Sequence, residues 1–351
     1  MSDFQQTLLE IVENIQIKQD FSICHPEYFP VKLQPEAIAR FQKIPLDLQR
    51  KYLIGQIQNY IYDIYFTHSL MTIEEIEAES LCQLKNNIVN GIDINFYQRL
   101  EQSNTSTGYL DCGWKVIAQL DNGELIVLKD ELHLHIQPQQ HLDRSLTQVN
   151  IGDTVSIYLP HNSIGQDTYI AIGNLGTSAN STRSNTELSP SVQLYFNFTP
   201  DAAVAISEQL TGELNQLGVP FELAILHDPA LFCRYDSATL WMFQSDYLQS
   251  QTSIAKIYQT YQSEFSPNVP LCTKELAPGL GIAEVPITPG TFGMQRCELI
   301  AIGLFTAMDR CKTLATDKID CINRELTAAG IDRSQPYLNP AALDRYSIYT
   351  N

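Results

Sequence analysis

Hydrophobic positions in the first hundred residues recur with a helical period. Over residues 46–66, Leu46, Leu53, Ile57 and Ile64 fall on one side of a helix. Residues 34–43 predict a helix with a proline in its first turn, a position that a helix tolerates. Residues 72–90 predict another, because Thr72 and the acidic residues after it form a good helix start. We therefore expect an N-terminal helical region over residues 1–107.

The hydrophobic period changes to that of strands near Gly108. Apolar runs interrupted by Asn122 and Gly123 indicate an antiparallel meander, because Asn-Gly is the strongest short hairpin signal. We expect strands at 114–120, 124–129, 131–136, 154–160 and 168–174. These strands make 108–175 a β-rich region. The Ser-, Thr- and Asn-rich residues 176–190 that follow are predicted to be a flexible linker or loop.

Strand-like and helical patterns are mixed in the last part of the chain, residues 191–351. We expect strands at 192–198, 221–227 and 237–243, and helices at 199–218, 245–263, 292–311 and 316–329. Thr199 and Ser245 are predicted helix caps, Pro200 a first helical residue, and Gly330 a helix stop. With the helical layer and the meander before it, this α+β unit predicts an α+β fold for the whole chain.

The charge of the chain limits its partners. Its 351 residues include 40 acidic and 22 basic ones, a formal net charge of −18. Such a field repels nucleic acid and anionic membrane surfaces, so we expect neither as a partner. An anionic ligand must be held by a local cluster of cations. No apolar run approaches the roughly 18–20 residues of a membrane span.

The eight cysteines give no sign of a metal site or a disulfide framework. None forms a C-x-x-C pair or has a histidine at zinc-ligand spacing, and most lie in apolar segments, which is typical of reduced, buried thiols. The N-terminus lacks the features of a signal peptide, and no glycine-rich nucleotide motif is present. We therefore expect a cytoplasmic protein without a metal or cofactor.

Residues 270–296 are the first candidate for an anion site. Four prolines and four glycines interrupt this mostly apolar segment, and its only cations are Lys274 and Arg296. Arg296 falls in the opening turns of a predicted helix, where backbone N–H groups bind phosphate and where a cation is unfavourable without an anion nearby. The alternatives are a surface position for Lys274 and, for Arg296, a local carboxylate such as Glu298 or Glu284.

Further candidates lie outside that segment. Asp236 follows Arg234 by two residues and is placed to orient its guanidinium; the alternative is an ion pair that closes the loop. The meander contributes Lys115, Lys129, His133 and His135. The two histidines fall on the same face of one strand, which suits a metal, acid–base work with His135 as general acid, or plain solvent exposure.

Three segments of the C-terminal part carry a family resemblance: residues 192–242, 270–284 (PLCTKELAPGLGIAE) and 291–301 (TFGMQRCELIA). They resemble the HopA-type effector family, named for a type III secretion effector of plant-pathogenic pseudomonads. The resemblance extends to 25–53, to the hairpin at 113–136 and to 152–174, and is closest to cyanobacterial members. It implies a groove in the α+β fold, and the pair Arg234 and Asp236 matches the family's Arg-x-Asp motif.

The resemblance also implies a chemistry. Family relatives act as lyases in class V lanthipeptide maturation, where a separate kinase phosphorylates Ser or Thr of a precursor peptide and the HopA-like partner eliminates the phosphate. Such an elimination needs a base for the α-proton and cations for the leaving group. Lys274 is the first candidate for the base, and His135 is a candidate general acid. The candidates for phosphate or substrate binding are Arg234, Arg296, Lys129, Lys115 and Asp236.

One departure from the family pattern separates two functions. The resemblance implies a lysine at position 224, but the chain has Ala224, whose methyl group neither accepts a proton nor binds phosphate. Cys272 also replaces a typical aromatic residue. The first hypothesis is therefore a lyase that uses other cations. The alternative is an inactive relative that binds a peptide or protein in the same groove as a subunit of a maturation complex. A secreted effector is a third, less favoured alternative.

Overall fold

A computed structural model describes residues 3–79, 88–143, 149–178 and 190–349. Helices make up 41% of the chain and antiparallel strands 23%, which confirms the α+β fold. The helices are α1 (Asp3–Asn14), α2 (Pro35–Phe41), α3 (Leu46–Ile61), α4 (Ile73–Glu79), α5 (Ile94–Ser103), α6 (Pro138–His141), α7 (Pro200–Leu217), α8 (Gln244–Thr260), α9 (Phe292–Asp309) and α10 (Ala315–Ala328).

The fifteen described strands form two main sheets and two short ribbons. They are β1 (Gln16–Ile17), β2 (Ile23–Cys24), β3 (Ile88–Val89), β4 (Ile92–Asp93), β5 (Tyr109–Gln119), β6 (Leu125–Lys129), β7 (Leu132–Ile136), β8 (Thr154–Leu159), β9 (Asn162–Ile164), β10 (Thr168–Ile172), β11 (Ser191–Phe196), β12 (Phe221–Leu226), β13 (Ala238–Phe243), β14 (Lys274–Ala277) and β15 (Leu280–Glu284).

The larger sheet has seven strands in the order β14-β15-β11-β13-β12-β10-β9, each antiparallel to its neighbours. Strands β5 to β8 form a separate four-stranded sheet, with a small core around Trp114, Val127 and Ile157. The expected meander, β5 to β7, is therefore present. Strand β10, which the sequence pattern grouped with it, pairs instead with β12.

Alternation along the strands gives the seven-stranded sheet two different faces. One face, with Leu223 and Leu240, is buried; α8 lies on it, where Ser250 Oγ contacts the sulfur of Met242 at 3.7 Å. The opposite face is covered only in part. A single π-helical turn, Tyr62–Phe66, continues α3 and covers β11, where the rings of Phe66 and Tyr195 meet edge to face at 5.5 Å.

The helix predicted at 72–90 was wrong in its second half. The helix α4 spans only Ile73–Glu79, residues 80–87 lie outside the described part, and Ile88–Val89 pairs with Ile92–Asp93 as a hairpin. The physical reason is the dipeptide at the turn. Asn90 and Gly91 have φ of 52° and 82°, the left-handed conformation that an Asn-Gly hairpin turn requires.

Residues 270–296 contain a hairpin that the apolar pattern did not predict. Strands β14 and β15 pair around a turn at Gly279, whose φ is 76°. Two cap predictions also need correction. Helix α8 begins at Gln244 without a side-chain cap from Ser245, and the Thr199 hydroxyl donates to Glu264 instead of capping α7. Residues 179–189 of the predicted linker lie outside the described residues.

Helix α9, which carries Arg296, lies very close to α10. A Cβ atom added at Gly303 would come within 2.5 Å of the Cα atom of Ile322, a backbone atom that cannot yield without moving α10. Gly55, inside α3, has no atom within 4 Å of an added Cβ. Gly303 therefore permits a close approach of two helices, whereas Gly55 has no such role.

This difference predicts opposite effects of the same substitution. Gly303→Ala should lower the free energy of unfolding by about 1–3 kcal/mol through overpacking. Gly55→Ala should raise it by about 0.4–1 kcal/mol, because alanine loses less conformational freedom on folding. Urea unfolding followed by circular dichroism measures both. Equal effects of the two substitutions would contradict the close approach of α9 and α10.

Candidate functional site

The incompletely covered side of the seven-stranded sheet is the candidate site. Six side chains of one face are partly exposed where β10, β12 and β13 run side by side: Thr168, Ile170, Glu222, Ala224, Thr239 and Trp241. We call these six residues the open face. Their neighbours on the opposite face are buried, so the exposure belongs to one side of the sheet only.

The strand register arranges the open face in rows across the sheet. In one row Ile170, Ala224 and Thr239 are directly paired, and the buried Tyr195 follows. The next row contains Ile172, Glu222, Trp241 and the buried Gln193. Ala224, the position where the family resemblance implies a lysine, therefore lies in the middle of this surface.

Arg234 is held at the end of the open face where β12 leads to β13. Its Nε and Nη2 donate to the two carboxylate oxygens of Asp236 at 2.8 and 2.9 Å, and its Nη1 donates to Asp167 Oδ2 at 2.6 Å. Burial alone would lower the pKa of Arg234, but these carboxylates raise it above its usual value. The guanidinium is thus a permanent cation whose charge two aspartates of the same chain neutralise.

The π-helical turn brings tyrosines next to this ion pair. Burial raises the pKa of Tyr62, with a further contribution from the charge of Asp236. Burial likewise raises the pKa of Tyr195 well above its usual value, and its hydroxyl donates to Gln193 Oε1 at 2.8 Å. Since π-helical turns occur frequently at functional sites, this segment marks the border of the open face as a place of interest.

Arg296 lies on the other side of these tyrosines, fully inside the protein. Its Nε donates to the carbonyl oxygen of Pro336 at 2.7 Å and its Nη2 to that of Leu338 at 3.0 Å. Its guanidinium also lies over the Phe292 ring, 4.9 Å from the centroid. Only 2% of Arg296 is exposed, and burial lowers its pKa. Its hydrogen bonds therefore anchor the C-terminal segment, and neither Glu284 nor Glu298 pairs with it directly.

Lys274 anchors the same C-terminal segment from the edge of the sheet. Its Nζ donates to Asp344 Oδ2 at 2.5 Å and to the carbonyl oxygen of Tyr346 at 2.6 Å. Asp344 also accepts from the Tyr337 hydroxyl at 2.8 Å. The register pairs Lys274 with Ile282, which places it on the face opposite to the open face.

The remaining sequence candidates belong to the four-stranded sheet. Lys129 Nζ lies 2.8 Å from both carboxylate oxygens of Asp111, which also accepts from Trp114 Nε1 at 2.7 Å. Lys115 is exposed on β5, and His133 and His135 are exposed on β7. Among the described residues no group of three His, Cys, Asp or Glu side chains could hold a metal ion.

The structure thus brings only part of the sequence-predicted set together. Arg234, Asp236 and Arg296 flank the same buried tyrosines, since the charges of Asp236 and Arg296 both act on the pKa of Tyr195. Lys274 lies on the other face of the seven-stranded sheet, and Lys115 and Lys129 lie on the four-stranded sheet. Sequence reasoning missed Glu222 and Trp241, whose signal was the alternation in FELAIL and ATLWMF.

The fold and the site together define a class of α+β protein in which an antiparallel sheet leaves part of one face open. The family model described as the HopA1 effector protein family matches residues 159–338, just over half of the chain and every strand of the seven-stranded sheet. The chain belongs to the HopA1 effector protein family. No curated protein matches the chain. Within the described residues, no helix is both long and apolar enough to cross a membrane.

Two solved structures are similar to the chain. An effector protein from Pseudomonas syringae pv. tomato strain DC3000 has 14% identity and a TM-score of 0.44, covering 84% of this chain and 97% of its own. An effector protein from Pseudomonas syringae pv. syringae strain 61 has 11% identity and a TM-score of 0.42, covering 83% of this chain and 98% of its own.

The Arg234–Asp236 pair predicts a strongly non-additive mutant cycle. Arg234→Ala should lower the free energy of unfolding by about 3–5 kcal/mol, because it leaves the carboxylate of Asp236 buried without its partner. The double variant Arg234→Ala/Asp236→Ala should recover part of that loss. Arg310→Ala, at an exposed helix end, is the matched control and should stay within about 0.5 kcal/mol of the parent. Additive losses in urea unfolding would contradict the pair.

The contact between Lys274 and Asp344 predicts a pH-dependent contribution to stability. Burial alone would raise the pKa of Asp344, but hydrogen bonds from Lys274, the Tyr346 N–H and Tyr337 lower it below 3.8. Because the folded pKa is depressed, this stability is present above pH 3.8 and is lost as the pH falls through the folded pKa.

The measurement is the difference in unfolding free energy between the parent and Asp344→Asn. We expect about 1 kcal/mol at pH 7 and a smaller difference at pH 3. Asp309→Asn, at the exposed end of α9, controls for the change in net charge. A difference for Asp344→Asn that stays constant over this range would show that the carboxylate charge contributes nothing.

Proposed function

We propose that this chain is a peptide-binding member of its family that holds a ribosomally made precursor peptide, or a phosphorylated form of it, on the open face without eliminating phosphate. One observation carries this proposal. Arg234, Lys129 and Lys274 each contact an aspartate of the same chain, and Arg296 is bonded to two backbone carbonyls. At the centre of the open face, where a catalytic lysine would reach a substrate, stands Ala224.

The chemistry of elimination explains why this arrangement supports binding over catalysis. A base must accept the α-proton within hydrogen-bond reach, and cations must compensate the charge that develops on the leaving phosphate. A cation that a carboxylate of the same chain already neutralises is a poor proton acceptor and compensates little of the charge on the leaving phosphate. The open face instead offers partly exposed apolar and polar side chains, such as Ile170, Thr239 and Trp241, which suit contact with a peptide.

A lyase is the second candidate function, and the position of Arg234 favours it. This guanidinium lies at the end of the open face, its side chain is 17% exposed, and phosphate recognition suits its geometry. In that form the chain would be the elimination partner of a separate kinase in class V lanthipeptide-type maturation, consistent with its resemblance to the cyanobacterial branch. Lys274 lies on the other face of the sheet and is bonded to Asp344, so the base for a substrate at Arg234 would have to be a different group.

The deciding experiment uses a synthetic phosphothreonine peptide and its unphosphorylated counterpart. Calorimetry measures binding, and mass spectrometry measures loss of phosphoric acid. We expect the parent protein to bind without any mass loss. Ala224→Trp should weaken binding by about tenfold or more, because an indole would fill the open face. Ile287→Trp, at a position 82% exposed and away from the open face, is the matched control and should bind as the parent does.

The outcomes separate the two functions. Mass loss with the parent protein would establish the lyase and overturn the non-catalytic proposal. Mass loss that starts only in Ala224→Lys would support the proposal and show that the open face retains the geometry for elimination. Failure of both peptides to bind the parent, or equal binding to Ala224→Trp, would overturn the assignment of the open face.

A further inference from the structure

An uncompensated carboxylate lies on the open face. Glu222 on β12 is directly opposite Trp241 on β13, so their Cβ atoms are about 4.5–5.5 Å apart. Among the described residues no group donates a hydrogen bond to the Glu222 carboxylate and no cation pairs with it. Burial is the only influence on its pKa, which it raises. A carboxylate in such surroundings gains most from a cation supplied from outside.

Trp241 has an unused donor at the same place. Its indole Nε1 is buried and has no hydrogen-bond partner among the described residues. The other tryptophan of the chain, Trp114, donates its Nε1–H to Asp111 at 2.7 Å. Because the N–H of Trp241 is buried, a ligand on the open face meets the ring of this residue, next to the carboxylate of Glu222.

We propose that the Glu222–Trp241 pair binds a lysine or arginine side chain of the peptide, with the cation donating to the Glu222 carboxylate and contacting the Trp241 ring. This inference rests on the proposed function, because it requires a peptide on the open face. A carboxylate and an indole together favour a cation, through a charge-assisted bond and a cation–π contact. The net charge of −18 draws cationic segments toward the protein.

The register gives the position of this cationic residue within the peptide. Ala224 and Glu222 point to the same side of β12 two residues apart, which is about 6.6–6.8 Å along a strand. A peptide extended along β12 would therefore place its basic residue about two positions from the residue that lies over Ala224. The carboxylate of Glu222 would repel a phosphate in its own row, so a phosphorylated residue belongs nearer to Arg234.

Nuclear magnetic resonance of the indole groups tests the inference directly. The protein has two tryptophans and hence two indole N–H resonances, which Trp114→Phe assigns. The probes are an acetylated, amidated Gly-Lys-Gly peptide and its norleucine counterpart, which lacks only the ammonium group. We expect the lysine peptide to move the Trp241 resonance and to leave that of Trp114 unchanged, and the norleucine peptide to bind at least tenfold more weakly.

Glu222→Gln removes the charge and keeps the shape. It should weaken binding of the lysine peptide about tenfold, whereas Glu298→Gln, an equal change of charge at an exposed position of α9, should have no effect. An unchanged circular dichroism spectrum and an unchanged urea midpoint in both variants show that the fold is intact.

Two results would overturn the inference and leave the proposed function standing: equal binding of the two peptides, or binding by calorimetry with an unmoved Trp241 resonance. If neither these two peptides nor the phosphothreonine peptide and its unphosphorylated counterpart bind, the proposed function fails. In that case acetyl-lysine amide alone decides the cation site, because its effect on the Trp241 resonance needs no peptide groove. No effect of this probe would overturn the cation site as well.

Discussion

Positive charge inside this protein is held by oxygen atoms of the same chain, and much of the structure depends on that constraint. A buried cation without a partner is too costly for a marginally stable fold. Arg234 is satisfied by Asp236 and Asp167, and Lys274 by Asp344. Arg296 uses two carbonyl groups of the C-terminal segment instead of a carboxylate. The cations that the sequence singled out therefore act first as structural anchors.

The fold was predictable from the sequence where local hydrophobic periodicity is strong, and not where it depends on long-range strand pairing. Residues 46–66 are periodic and apolar on one side, and α3 with its π-helical turn occupies that range. The helices predicted at 199–218 and 292–311 are also present, as α7 and α9. The hairpin of β14 and β15 was not, because its prolines and glycines conceal an apolar strand pair. The pattern of a strand also does not show which sheet it joins, as β10 demonstrates.

The candidate site was predictable only as a list of residue types. Sequence reasoning could see that Arg234 and Asp236 are two residues apart, and the structure gives their bidentate contact. It could not see that Lys274 lies on the opposite face of the sheet, since that depends on a long-range register. Glu222 and Trp241 were overlooked because each is ordinary in its own strand, and only their pairing across β12 and β13 makes them unusual.

The two edge strands of the seven-stranded sheet, β9 and β14, restrict how a ligand can bind to it. Strand β9, at one border, has only three residues, and at the other border the N–H of Tyr349 donates to the carbonyl oxygen of Leu276 in β14 at 2.7 Å. Short or covered borders offer little main chain for an incoming strand to join. Selection among ligands must then come from the side chains of the open face. A single substitution there can change which ligand binds without disturbing the hydrogen bonds between the strands.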